Sequence, residues 1–282
     1  VSDVDPTLAR RMWHLLEPYH APVYFAPEVR DAMRGVGLKG FWMGYFAGRS
    51  APLGDVGPEV VTALFFGFHP DMVARALPDA WTYASPEAVL AARRDAVGVA
   101  LARILGDDLR GAAIAEAAEL ARAAAAGCEL AARPLHAAHA SLDWPDEPHL
   151  VLWHAATLLR EHRGDGHVIA LAAEGLDGCS SHVAAVEIGA VPREALQPNR
   201  GWSDDEWEAA RRRLAGLDLA DLRMRVEIRT DRLAVGPWAH LGQDGADRLA
   251  ALLEPVADRI VRAGAVPVPN PMGAPWPPRP LG

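Results

Sequence analysis

Residues 150–175 read LVLWHAATLLREHRGDGHVIALAAEG, and the way this stretch divides decides the fold. Apolar residues recur at helical spacing on both sides of the ionisable run Arg160-Glu161-His162-Arg163-Gly164-Asp165-Gly166-His167. Glycine commonly stops a helix and aspartate commonly starts one. Gly164 and Asp165 are therefore expected to end one helix and open the next. On that division Arg160, His162 and Arg163 stand in a last turn, where cations complement the helix dipole. His154 and Glu161 share a face of the first helix. They form a carboxylate–histidine pair able to bind a ligand or shuttle protons if it faces a cavity.

Working outward, the pattern is helical throughout. Residues 6–17 carry Leu8, Met12, Leu15 and Leu16 on one side and precede Pro18. Residues 38–48 are aromatic on every side and are expected to be buried all round. The glycines at 40, 44 and 48 suit close helix approach. Residues 58–68 read as a second buried helix. Ser85-Pro86-Glu87 is a capped helix start, and Ser203-Asp204-Asp205-Glu206 is another. Long helices are expected over 112–132, 221–238 and 247–263. The stretch 266–282 is Pro-rich and extended.

Composition bounds the function. The chain has 282 residues, 50% hydrophobic and 23% charged, with a net charge of −9. No apolar run is long enough for a membrane span, and no secretion signal opens the chain, so a cytoplasmic location is expected. Cys128 and Cys179 stand alone, without metal-ligand spacing. There is no phosphate-binding glycine loop, no HExxH and no GxSxG, so no motif requires a cofactor. The acidic balance disfavours a nucleic-acid partner, because duplex binding is dominated by neutralising phosphates.

The two halves match in order. Pro18-Tyr19-His20-Ala21 corresponds to Pro134-Leu135-His136-Ala137. GFWMGYFAG (40–48) aligns with HVIALAAEG (167–175), and FHPDMVARALPDAW (68–81) with AVPREALQPNRGW (190–202). SPEAVLAARR (85–94) aligns with SDDEWEAARRR (203–213). The repeating unit, with short helices, a Ser-capped helix and long C-terminal helices, has the layout of a MarR-type winged helix. The expected fold is mainly α, a tandem winged-helix-like repeat forming an intrachain pseudo-dimer. The repeats would span 1–110 and 111–265.

The segments FWMGYFAGRSAPLG, FHPDMVARALPDAW, DWPDEPHLVLWHAATLLREHRGDGH and NRGWSDDEWEAARRRLAG resemble an uncharacterised actinobacterial helix-turn-helix family over nearly the whole chain. That resemblance implies the fold and a DNA-binding label. It supplies no reaction and no catalytic residues. The family pattern includes a wing after the RRRLAG helix, whereas GLDLADLRM leaves almost no room for one, so wings are expected to be short or missing.

A recognition helix presents its N-terminus to DNA. Here both Ser-capped starts carry carboxylates, which repel a duplex. The expectation is therefore a small-molecule-binding protein derived from a MarR-like regulator, with the ligand between the repeats. A DNA-binding regulator is one alternative. An enzyme using a His-lined cavity, with haem or a metal on His20 and His136, is the other. The candidate ligand residues are His20, Trp42, Tyr45, His69, His136, His139, His154, Glu161 and His162. The histidines and Glu161 supply polar contacts. Trp42 and Tyr45 belong to an aromatic cluster that suits a flat apolar ligand.

Overall fold

The computed structural model describes residues 4–267 and Trp276. Among them the helices are, in chain order, α1 (Thr7–His20), α2 (Pro22–Phe25), α3 (Pro27–Gly35), α4 (Gly40–Ser50), α5 (Pro58–Phe65), α6 (Pro70–Ala74), α7 (Ala80–Tyr83) and α8 (Pro86–Leu105). The second half adds α9 (Ala112–Ala125), α10 (Pro134–Ala140), α11 (Pro148–Ala173), α12 (Gly178–Glu187), α13 (Arg193–Leu196), α14 (Asp204–Arg213), α15 (Leu219–Ala234), α16 (Gly236–Leu241) and α17 (Gln243–Arg262). The protein is mainly helical, and the described residues contain no strand. α14 runs into α15 through only residues 214–218, so no hairpin wing lies between them.

The Ser-capped starts form as expected. Ser85 Oγ accepts from Ala88 N at 3.3 Å, with Pro86 in the first turn. Ser203 and Glu206 make a reciprocal capping box, which satisfies two backbone donors at once.

The central stretch departs from expectation. α11 is one helix of 26 residues that runs through Gly164, Asp165 and Gly166 without a break. Asp165 does cap a helix, but not its own. Its Oδ2 accepts from the backbone N–H of His136 at 3.0 Å, in the first turn of α10, where the N-cap residue Arg133 offers no side-chain cap. Gly166 serves close approach: a Cβ there would stand 3.2 Å from Arg133 Nη1 and from Leu233 Cβ. Arg160 and Arg163 consequently lie mid-helix, and the dipole role expected for them does not apply.

Two smaller expectations also fail. α1 continues through Pro18 to His20. Its buried face of Met12, Leu15, Leu16 and Tyr19 passes over the proline, and Ala21 N donates to Glu17 O at 2.8 Å to keep the turn closed. α4 is not buried all round, since Phe41 is exposed.

Buried apolar side chains form two clusters. The larger draws on α1 to α10, the first part of α11, α16 and α17. The smaller draws on the last turns of α11 with α12, α14 and α15. α11 is thus a rod shared by both cores. Of the Pro-rich tail, Val266 and Trp276 pack on the larger core, while 268–275 and 277–282 lie outside the described residues. The matched landmarks fall on different structures in the two halves. Residues 40–48 lie in a separate helix, whereas 167–175 fall mainly on the end of α11. His20 closes α1, whereas His136 stands in the first turn of α10.

Replacing Asp165 with alanine is expected to cost about 1–2 kcal/mol, the usual loss for a helix cap. Asp165→Asn keeps an acceptor and removes a buried charge, so it should stay close to wild type. Urea unfolding at pH 7 distinguishes the two; equal losses in both variants would rule out the long-range cap.

Candidate functional site

A cavity of about 570 Å³ lies between the larger and smaller cores. Its dimensions suit a drug-sized ligand. α11 builds one wall with Arg160, Glu161, Arg163, Gly164, His167, Val168 and Leu171, a three-and-four spacing that holds one face only because the helix is unbroken. α1 contributes Arg10, Trp13 and Glu17. α4 contributes Tyr45 and Arg49, and the chain around the end of α5 contributes Phe65, Phe66 and Phe68. From the smaller core come His182 of α12, Arg200 beyond α13, and Arg223 and Glu227 of α15.

The lining is cationic in an acidic protein. Six guanidinium groups (Arg10, Arg49, Arg160, Arg163, Arg200 and Arg223) face three carboxylates (Glu17, Glu161 and Glu227). Glu161 is fully buried. It accepts from Arg49 Nη2 at 3.0 Å and from Arg160 Nη1 at 2.8 Å. Burial alone would raise its pKa, but the charges of Arg49 and Arg160 outweigh burial and hold it well below the usual carboxylate range. Arg160 Nε also donates to Glu17 at 3.1 Å, and Trp13 Nε1 donates to Glu17 at 2.9 Å. On the opposite side Arg163 and Arg223 meet Glu227 at 3.3 and 3.1 Å. Arg10 meets Asp231, just behind the lining, at 2.6 Å.

The apolar floor has a strained turn. Phe66 adopts φ +51°, a region that costs free energy for a residue with a side chain. The turn exposes the Gly67 carbonyl, which accepts from His182 Nε2 at 3.0 Å and Trp202 Nε1 at 2.9 Å. These two bonds tie the end of α5 to the smaller core.

Of the sequence-predicted residues, Tyr45 and Glu161 line this cavity. Trp42 packs in the aromatic cluster against Phe46 and Phe68. His20 is buried in a directed chain. Thr157 Oγ1 donates to the Trp153 carbonyl, so His20 Nδ1 donates to Thr157 at 3.0 Å and its Nε2 accepts from Tyr24 at 3.1 Å. His136 donates through Nδ1 to the Leu158 carbonyl at 3.0 Å and meets His162 edge to face. No ring contact joins His20 to His136, so the repeat does not bring these two together. His139 is buried with Nε2 unpartnered, as are the Nε2 atoms of His154 and His162. His154 packs edge-on against Trp144, two turns from Glu161 along α11, and no hydrogen bond links the expected pair. His69 caps α6 through Nδ1 and donates through Nε2 to Glu206 at 2.8 Å. That contact joins the first half to the start of α14. Among the described residues no group of three or more His, Cys, Asp or Glu side chains is arranged to hold a metal ion.

The arginines are what the sequence reading missed. Arg49 lies in the last turn of α4 and Arg200 just beyond α13, with no charge pattern beside them, and the local signals at Arg160 and Arg163 point to a helix end. The available signal was the spacing Arg160, Arg163, His167 and Leu171, legible only if α11 is continuous.

The architecture is that of an all-helical protein with two Ser-capped helices and a cationic cavity between two cores. The sequence pattern of a helix-turn-helix family matches residues 9–267, and the chain belongs to that family. No match was found among curated proteins or solved structures. No helix among the described residues is long and apolar enough to cross a membrane.

The buried histidines make the fold acid-sensitive. Burial lowers His162 and His182 to about 3 and His154 and His167 to about 4, with neighbouring arginines adding to the effect. Their folded pKa values lie below the unfolded value, so their contribution to stability is complete above about pH 6.5 and is lost as pH falls toward 4. Asp165, raised by burial to about 6, and Asp231, also raised by burial, have the opposite sign but are two groups against four. The urea midpoint should fall steadily from pH 7 to pH 4.5, and His154→Gln with His162→Gln should flatten that slope by about two protons. An unchanged slope in the double variant would contradict the assignment.

Proposed function

We propose that this helix-turn-helix protein binds a small anionic molecule with an apolar body in the cavity between its two cores. The observation that carries this reading is the excess of six guanidinium groups over three carboxylates around 570 Å³ of space. The Phe65, Phe66 and Phe68 wall would take the apolar body, and the arginines the charge. On this reading the chain derives from a MarR-like tandem of repeats 1–110 and 111–265 whose landmarks have diverged in structure, and the ligand sits in the half-open cavity between the cores.

The test is calorimetry against matched aromatic carboxylates, phosphate esters, neutral analogues and amines. Anions should bind preferentially, and Arg223→Gln or Arg200→Gln should weaken them by about 10-fold, the loss of one charge-assisted hydrogen bond. Equal binding of neutral analogues and amines, or no binding by any anion, would overturn the proposal.

Family membership favours a second reading, a DNA-binding regulator that senses the same ligand. The start of α14 opposes it: Asp204 and Asp205 are exposed there, and Glu206 is engaged by His69. Gel retardation of genomic fragments at low salt decides between them. No shift at micromolar protein is expected.

A further inference from the structure

The cavity between the cores leaves one buried cation unexplained. Arg93, on α8, is 3% exposed. Its Nη2 is buried without a hydrogen-bond partner, and none of the ion pairs among the described residues includes it. Its one aromatic contact is the face of Trp153, 5.1 Å away. Arg93, Arg49 and Arg160 all feel Glu161. Glu161 binds Arg49 and Arg160, and Arg160 also takes Glu17. Three guanidinium groups therefore share two carboxylates, and the unmatched charge falls on Arg93. Interiors rarely hold a charge without a counter-charge, because the desolvation cost is several kcal/mol.

Arg93 also lines a second, smaller slot between α3 and α4, which shares Tyr45 and Arg49 with the larger cavity. Gly40, Gly44 and Gly48, the stripe of glycines spaced every four residues, form one wall. The stripe allows the two helices to close up: a Cβ at Gly44 would stand 3.2 Å from Met33 Cβ. Tyr24, Tyr45, Arg49 and Arg93 supply the polar surface, together with the exposed Arg30. The space open to water centres is about 40 Å³, against roughly 10–15 Å³ for a single water on the same measure. Burial and the nearby arginines push His20 and His139 well below their usual pKa, so neither adds charge of its own, and no carboxylate lines the slot.

We propose that this slot is a binding site for a small monoanion, held by Arg93 with Arg49 and the hydroxyl of Tyr45, which accepts from Arg49 and keeps its own proton to donate. The size admits one halide ion or one carboxylate head. A carboxylate would arrive as the end of an organic acid whose tail lies along Val29, Met33 and Phe41 toward the exposed mouth. Both sources share the same chemistry, a single compact negative charge that completes the buried ion-pair cluster. The slot shares Tyr45 and Arg49 with the proposed ligand cavity, whereas Arg93 belongs to the lining of the slot and not to that of the cavity, so an Arg93 variant tells the two apart.

The experiment follows thermal unfolding of the full chain and of Arg93→Met during titration with bromide, acetate and hexanoate at constant ionic strength. It is paired with anomalous diffraction from bromide-soaked crystals of the wild type. A ligand bound only to the folded state should raise the wild-type Tm by about 3 °C per tenfold increase in anion above its Kd. Arg93→Met should show no such rise, and a bromide peak should lie against the Arg93 guanidinium. A larger effect of hexanoate than of acetate identifies the organic acid as occupant, and equal effects identify the free anion. Parallel titrations in the two proteins, or no bromide at Arg93, would overturn the proposal. If Arg93→Met does not fold, the bromide position alone decides.

Discussion

The structure depends on α11 not breaking. One helix of 26 residues gives its first part to the larger core and its last turns to the smaller. A stop at Gly164 would free the two cores to move relative to each other and scatter the face that lines the cavity. Continuity is held by partners outside the helix. Asp165 spends its cap on α10, and Gly166 admits Arg133 and α15. Glu161 is gripped by Arg49 from α4 and by its own neighbour Arg160. Local signals for a break were present, and tertiary contacts gave each of those residues another use.

The legible and illegible parts of the fold differ by the range of the forces involved. Helix starts were read from adjacent residues, and Ser85 and Ser203 behave as their sequences indicate because capping is settled within one turn. The division of residues 150–175 was misread because Gly and Asp carry the same local meaning whether they end a helix or meet a distant backbone. The site follows the same rule. Tyr45 and Glu161 were found, but the arginines that define the cavity looked like ordinary surface or helix-end cations. Burial of a guanidinium is decided by what folds over it, and nothing within a few residues of Arg49 or Arg93 announces that. The histidines erred in the opposite direction. Their density suggested a ligand site, yet His20 and His136 are satisfied by Thr157, Tyr24 and the Leu158 carbonyl, as core histidines commonly are.

The charge pattern bears on what kind of helix-turn-helix protein this is. Reading DNA requires a helix start that is free and able to approach phosphates. The start of α14 is neither. Its first turn carries three acids, and Arg193 and Gln197 engage Asp204. His69 reaches across from the first half to Glu206, and Trp202 meets that imidazole edge to face at 4.9 Å. The surface that would meet a duplex is used to join the two halves. Six guanidinium groups are instead gathered around the half-open cavity between the cores. An arginine on the surface is solvated and screened, whereas one facing a cavity of low dielectric acts strongly on whatever enters. A protein of net charge −9 that lines the space between its two cores with six guanidinium groups has a local site there able to attract anions. That distribution is the physical argument for the proposed ligand cavity between the two cores and against a duplex along α14.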